Sequence, residues 1–267
     1  MENLEGRKVV VTGGSRGLGL GIVEALVAGK AHVTVVARDP EHLTKISKRL
    51  GVNVVRGDVT DENLARDVLR GVRPSVLVLN AGATPPMGPL HELTWEKFSR
   101  AWDVDVKAGF HWVQETLRLP LARGSRVIIG SSGAALNGSP LSGGYAGAKR
   151  MLWLMASYAN DVAQRLDLGI RFQAILPQQI IGDTELGRTA AEAYASSRGV
   201  SLEAFLAGFG APMQPRKVGD NVVSILTDPR YATGVAFGMK GDVGIVPLNA
   251  EIVDRGAKED TAGNFLV

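Results

Sequence analysis

A chain of 267 residues with 45% hydrophobic and 21% charged side chains holds enough apolar material for a large core. Its formal net charge of +3, with no block of five Lys or Arg, excludes a nucleic-acid or membrane patch built on a basic run. The lack of cysteine excludes disulfides and thiolate metal sites, and no segment approaches the roughly 20 apolar residues that span a bilayer; the expectation is a soluble, cytoplasmic chain without a signal peptide.

Taken in chain order, "KVVVT" (8–12), "HVTVVA" (32–37), "NVVR" (53–56), "SVLVLN" (75–80), "SRVIIGS" (125–131) and "IRFQAIL" (170–176) read as strands. Several are almost continuously apolar, as expected of parallel strands covered on both faces. Helical patterns lie between them at about 18–29, 40–49, 61–70, 94–119 and 146–167, and "GVAFGM" (234–239) adds a seventh strand. Strict alternation predicts an α/β fold, one doubly wound parallel sheet of about seven strands with helices on both faces. No composition break divides the chain, so residues 1–267 read as one domain with a substrate-covering insertion at about 184–215.

The helix at 146–167 is apolar nearly all round, from Met151 through Ala156, and the one before it is similarly broad, with Phe110, Trp112 and Val113. Such helices are buried on every side, either in a subunit interface, giving a homotetramer or dimer, or under the chain's own loops.

The first strand runs into "TGGSRGLGLG", where Gly13, Gly17 and Gly19 open a helix. In a βαβ unit these glycines permit a tight turn, close approach of backbone to a pyrophosphate, and close helix–strand packing. The helix N-terminus then offers free N–H groups to the anion. The second strand ends "VVARD", with Ala37 where an NAD-binding chain usually has an acid, followed by Arg38. Arg38, with Arg16 from the glycine loop, suits a 2′-phosphate, which favours NADP (NADPH) over NAD. Asp39 reads instead as the cap of a helix starting at Pro40.

With these features on the page the sequence resembles the short-chain dehydrogenase/reductase family over roughly residues 5–240. The matching motifs are "TGGSRGLG" (12–19), "DVT" (58–60), "NAG" (80–82), Ser132 and "YAGAK" (145–149). The resemblance implies a Rossmann-type domain and a cofactor held by Gly13, Ser15, Arg16, Gly17, Leu18 and Gly19. It further assigns Asp58 and Val59 to the adenine, and Asn80, Ala81 and Gly82 to the middle of the cofactor. Pro177, Ile180 and Thr184 go to the carboxamide and phosphate, and Tyr145 and Lys149 to the nicotinamide ribose. It also makes Ser132, Tyr145 and Lys149 catalytic, in exchange between a ketone and a secondary alcohol.

The spacing of Tyr145 and Lys149 stacks them on one helical face. Phenols ordinarily titrate near 10, so acid–base work near neutrality needs a cation that favours the phenolate. Ser132 is expected to hold the substrate oxygen. The family usually has asparagine where this chain has Asp105, a residue that stabilises a kink in a proton relay; Asp105 is therefore a fourth catalytic-site member. After the sixth strand, "LPQQIIGDTEL" has Gln178 where relatives have glycine, and Gln178 or Gln179 is free to face the substrate. In the insertion, Leu186, Tyr194, Phe205, Phe209 and Met213 are candidates to line an apolar cavity, with Gly199 and Gly208 allowing closure. Trp153 and Met155 read as core, and the isolated His91 and His111 as neither bases nor metal ligands. The C-terminal "DRGAKEDTAGNFLV" reads as peripheral, with its final Phe-Leu-Val a candidate to dock on a neighbouring subunit.

The expected function is NADP-dependent carbonyl reduction of a small molecule, with no metal. An NAD-dependent alcohol dehydrogenase is the alternative within the family. A non-catalytic sensor of NADP(H) is the alternative outside it, against which stand the retained tyrosine and lysine.

Overall fold

A computed structural model describes residues 3–209 and 211–248. Strands β1 (Lys8–Thr12), β2 (His32–Ala37), β3 (Asn53–Arg56), β4 (Val76–Leu79), β5 (Arg126–Gly130), β6 (Arg171–Pro177), β7 (Ala236–Lys240) and β8 (Gly244–Pro247) form one sheet in the order β3-β2-β1-β4-β5-β6-β7-β8. The first seven run parallel, and β8 returns antiparallel along β7. That last strand corrects the expectation of a purely parallel sheet: four residues ending in a proline carry too little pattern to be read alone.

Alternate residues of each buried strand feed opposite faces. Val9 and Val11 of β1 pack on one side and Val10 on the other, while Val76 and Val78 of β4 oppose Leu77 and Leu79. Helices α1 (Gly17–Ala28) and α2 (Pro40–Leu50) cover the first face, and α3 (Glu62–Val72) lies on the second. Asp39 caps α2 as expected, accepting from Glu41 N and His42 N, each at 2.9 Å, with Pro40 in the first turn.

The long helix expected at 94–119 is three pieces. Helix α4 (Trp95–Ala101) passes through a π-helical turn at Trp102–Val106 into α5 (Lys107–Arg118). One turn of α6 (Ala134–Asn137) precedes the buried α7 (Tyr145–Arg165), and α8 (Glu185–Ser197) and α9 (Leu202–Phe209) occupy the insertion. Helix α10 (Pro215–Thr227), which the strand-and-helix alternation did not predict, packs against α1 on the first face. Trp153 and Met155 lie in the core as expected. Met213 does too, packed against the first-face cluster rather than lining a cavity. The side chain of Phe209 and residues 254–267 lie outside the described residues. Among the described residues no helix is long and apolar enough to cross a membrane.

One polar knot sits inside this apolar frame. Gln173, fully buried on β6, accepts from Arg126 Nε at 3.0 Å and donates to Tyr231 O and Gly234 O at 2.8 and 2.7 Å. Arg126 reaches on to Ile225 O at 3.1 Å, so two side chains tie β5 and β6 to α10 and the approach to β7. Replacing Gln173 by leucine leaves a buried guanidinium and two carbonyls without that partner. The expected cost is about 3 kcal/mol of stability, read by urea denaturation.

Candidate active site

The carboxyl ends of β1 to β6 open into a cleft of about 1020 Å³. The chain turns outward there between β1 and β4, the crevice where open α/β sheets bind ligands. Every residue expected to be catalytic or to hold the cofactor lines it: Gly13, Ser15, Arg16, Gly17, Leu18, Gly19, Arg38, Asp58, Val59, Asn80, Ala81, Gly82, Asp105, Ser132, Tyr145, Lys149, Pro177, Ile180 and Thr184.

One end is backbone. Gly17 adopts φ 53°, a left-handed conformation that suits glycine. At Gly19 a Cβ would lie 2.1 Å from Gly13 O and 2.6 Å from Asn80 Nδ2, so only glycine lets α1 begin this close to β4. Thr12 Oγ1 accepts from Asn80 N at 3.1 Å and from Ala81 N at 3.2 Å, binding the "NAG" segment to the end of β1. A helix N-terminus, a left-handed glycine turn and an open cleft beside them fit the pyrophosphate of a dinucleotide.

Both arginines meant for a 2′-phosphate are at this end, and each faces an acid. Arg16 Nη1 lies 2.6 Å from Glu185 Oε2, at the start of α8, and Arg38 Nη1 lies 3.9 Å from Asp58 Oδ2. The Asp58 carboxyl is held below its ordinary value, first by the Thr60 N–H and less by Arg38. Thr184 caps α8 by accepting from Gly187 N at 3.0 Å, and its methyl group would sit 3.5 Å from a Cβ at Gly17. That places it beside the glycine turn.

The other end holds the candidate acid–base groups. Tyr145 opens α7 and is 8% exposed, and Lys149, one turn on, sets its ammonium 5.5 Å from the phenol ring centre. Ser131 Oγ donates to Lys149 O at 2.7 Å, which pins this turn to the end of β5; Ser132 Oγ accepts from Ala134 N at 3.2 Å. Trp102 Nε1 donates to Gly144 O at 3.1 Å, so the π turn seats the start of α7.

The contact that spacing in the sequence does not announce is between Lys149 and Asp105. Their charged atoms lie 2.9 Å apart with side chains 9% and 0% exposed. Burial by itself would push the Lys149 ammonium down, and the adjacent Asp105 carboxylate, with Tyr145, reverses this and holds it above the ordinary lysine value. The other carboxylate oxygen accepts from Ala83 N at 2.7 Å. A Cβ at Gly82 would lie 2.7 Å from Asp105 Oδ2, so that glycine makes room for the carboxylate. The π turn presents Asp105 inward, as π-bulges often do at functional sites.

Both glutamines after β6 border the cleft as expected; Gln179 Oε1 also accepts from Gly241 N, and Gln178 lies against Gly133 and Gly238. His91 and His111 lie away from the cleft. From the insertion, Leu186, Tyr194 and Phe205 reach the cleft, with Ser139 and Pro140 from the loop after α6, two residues that the sequence did not single out.

A family model described as short chain dehydrogenase matches residues 7–195. Among curated relatives, an L-xylulose reductase of Mesocricetus auratus is 32% identical over 193 residues, covering 70% of this chain and 76% of the relative. An L-fucose dehydrogenase of Oryctolagus cuniculus is 30% identical over 262 residues, covering 91% and 88%. The crystal structure of L-sorbose reductase from Gluconobacter frateurii complexed with NADPH and L-sorbose superposes with a TM-score of 0.73 at 22% identity, covering 90% of this chain and 97% of that one, a likeness of fold. The glycine turn, the Tyr145–Lys149 pair and these matches agree: the chain belongs to the short-chain dehydrogenase family of oxidoreductases.

Proposed function

We propose that this protein interconverts a ketone and a secondary alcohol with NADP(H), and that Tyr145 is its general acid–base. The observation that carries the reading is a buried phenol one helical turn from a buried ammonium, in the same cleft as a glycine turn built for phosphate. When bound, the nicotinamide supplies or removes two electrons and a hydrogen at the substrate carbon.

The chain's own residues handle the oxygen. Ser132 donates a hydrogen bond to it, and Tyr145 gives it a proton in reduction and takes one back in oxidation. Lys149 lends positive charge to the phenol oxygen and holds the ribose. Asp105 keeps Lys149 protonated in a dry site and fixes its direction. Arg38 and Arg16 hold the 2′-phosphate, Asp58 and Val59 the adenine, the 80–82 segment the centre, and Pro177, Ile180 and Thr184 the carboxamide and phosphate. Reduction is the direction that an NADP preference suits. NADPH in the complex of L-sorbose reductase and in a 26% identical metagenomic blue fluorescent protein supports the cofactor assignment. Exposed Phe110 on α5 and Tyr158 on α7, 48% and 54% accessible, support a homotetramer or dimer through these helices.

Tyr145→Phe is expected to lower kcat at least 100-fold while NADPH affinity stays within about twofold, measured by nicotinamide absorbance and fluorescence titration. Retained turnover would remove Tyr145 from the chemistry. Arg38→Asp is expected to weaken NADPH about 10-fold or more and leave NADH unharmed, since the lost contact is to the 2′-phosphate alone. Equal effects on both coenzymes would refute that assignment.

Asp105→Asn tests the ion pair through stability. In the wild type Lys149 is raised, so the pair's contribution is complete below the ordinary lysine range and lost only as pH climbs through the higher folded value. In the variant burial is opposed only by Tyr145 and drives Lys149 down, and the unfolded chain then binds the extra proton. Urea denaturation should show a loss of about 3 kcal/mol near neutral pH that shrinks as pH rises toward the lysine range. A pH-independent loss would mean that Asp105 acts by packing alone.

A further inference from the structure

Two glutamines follow β6 and a third lies inside it, and their amides are used differently. Gln173 spends its whole amide within the protein, on Arg126, Tyr231 and Gly234. Gln179 commits its oxygen to Gly241 N. Gln178 is anchored by its backbone, whose N–H donates to Met239 O on β7 at 2.9 Å. Its side-chain amide borders the cleft with no hydrogen-bond partner among the described residues.

That amide has a seat made for it. A Cβ at Gly238 would lie 2.5 Å from Gln178 Nε2 and 3.2 Å from its Cδ, so this glycine leaves the amide its room. At Gly133 a Cβ would lie 3.0 Å from Gln178 Cα and 3.5 Å from its Cγ, and Gly133 N donates to Pro177 O at 2.8 Å. Gly133 follows Ser132, so the glutamine is rooted against the turn that carries the hydroxyl meant for the reacting oxygen. Asn137, Asp183 and Arg198 also border the cleft, but as exposed groups that keep their water, whereas Gln178 is partly buried. A substrate filling the cleft strips water from an amide so placed, and a hydrocarbon neighbour would leave its donor and acceptor unmet. A hydroxyl satisfies both, accepting from Nε2 or donating to Oε1.

We infer that Gln178 binds substrate, and that the substrate carries a hydroxyl on the carbon next to its carbonyl: an α-hydroxy ketone, or the vicinal diol in the opposite direction. The inference rests on the oxidoreductase reading above and narrows it. Ser132 and Tyr145 take the reacting oxygen, and Gln178, from the adjoining wall, takes the oxygen beside it.

The test compares 2-hydroxycyclohexanone with 2-methylcyclohexanone, which differ by hydroxyl for methyl, in steady-state reduction by the full-length enzyme with NADPH. Wild-type kcat/KM is expected to favour the hydroxy ketone, and Gln178→Leu to cut that preference about 10-fold, with NADPH affinity held within about twofold. Comparing the preference between two enzymes cancels the intrinsic reactivity of each ketone. Gly238→Ala supplies a second reading, because its methyl group displaces the amide without altering it; the preference is expected to fall about three- to tenfold. A wild type that prefers the methyl ketone overturns the inference and leaves the oxidoreductase reading standing. So does a preference unchanged in Gln178→Leu, or in Gly238→Ala should the leucine variant not fold. Inactivity of the wild type on both ketones, despite NADPH binding, overturns that reading and the inference with it.

Discussion

Asp105 and Lys149 share a space that water does not reach, and the arrangement of the acid–base end follows from that pairing. A lysine this buried would shed its proton without a counter-charge, and an unpaired carboxylate there would be costlier still. Holding both in register takes four separate elements. The π turn aims Asp105 inward, Ala83 N engages its free oxygen, Gly82 leaves it room, and Ser131 fixes the turn of α7 that carries Lys149. Tyr145 inherits its position from the same scaffold, through Trp102 and the start of α7.

The pair also gives this cleft an electrostatic character of its own. Where an amide would leave the ammonium unopposed, the carboxylate makes the inner site neutral overall, while the phosphate end keeps arginines whose acid partners are exposed and easily exchanged. A dry ion pair beside Tyr145 thus stands against exposed, weaker ones at the glycine end.

The lid adds a third kind of contact. Parallel aromatic rings and a hydroxyl clasp join α8 and α9 to the loop that leads into Tyr145.

Much of this was legible in the chain itself. Continuous β-branched runs suit parallel strands covered on both faces, a glycine turn after the first of them suits a close approach, and a spacing of four from Tyr145 to Lys149 stacks them on one face of a helix. Local stereochemistry made seven strands and the cap at Asp39 available from sequence, and the family resemblance supplied most of the residues around the cleft. Tertiary structure alone decided the rest: the Gln173–Arg126 knot, the short returning strand β8, the seating of Met213 in the core, and the meeting of Asp105 with Lys149. These depend on which distant segments the sheet brings together, and on which charge a dry interior can tolerate. No period or spacing along a chain encodes either.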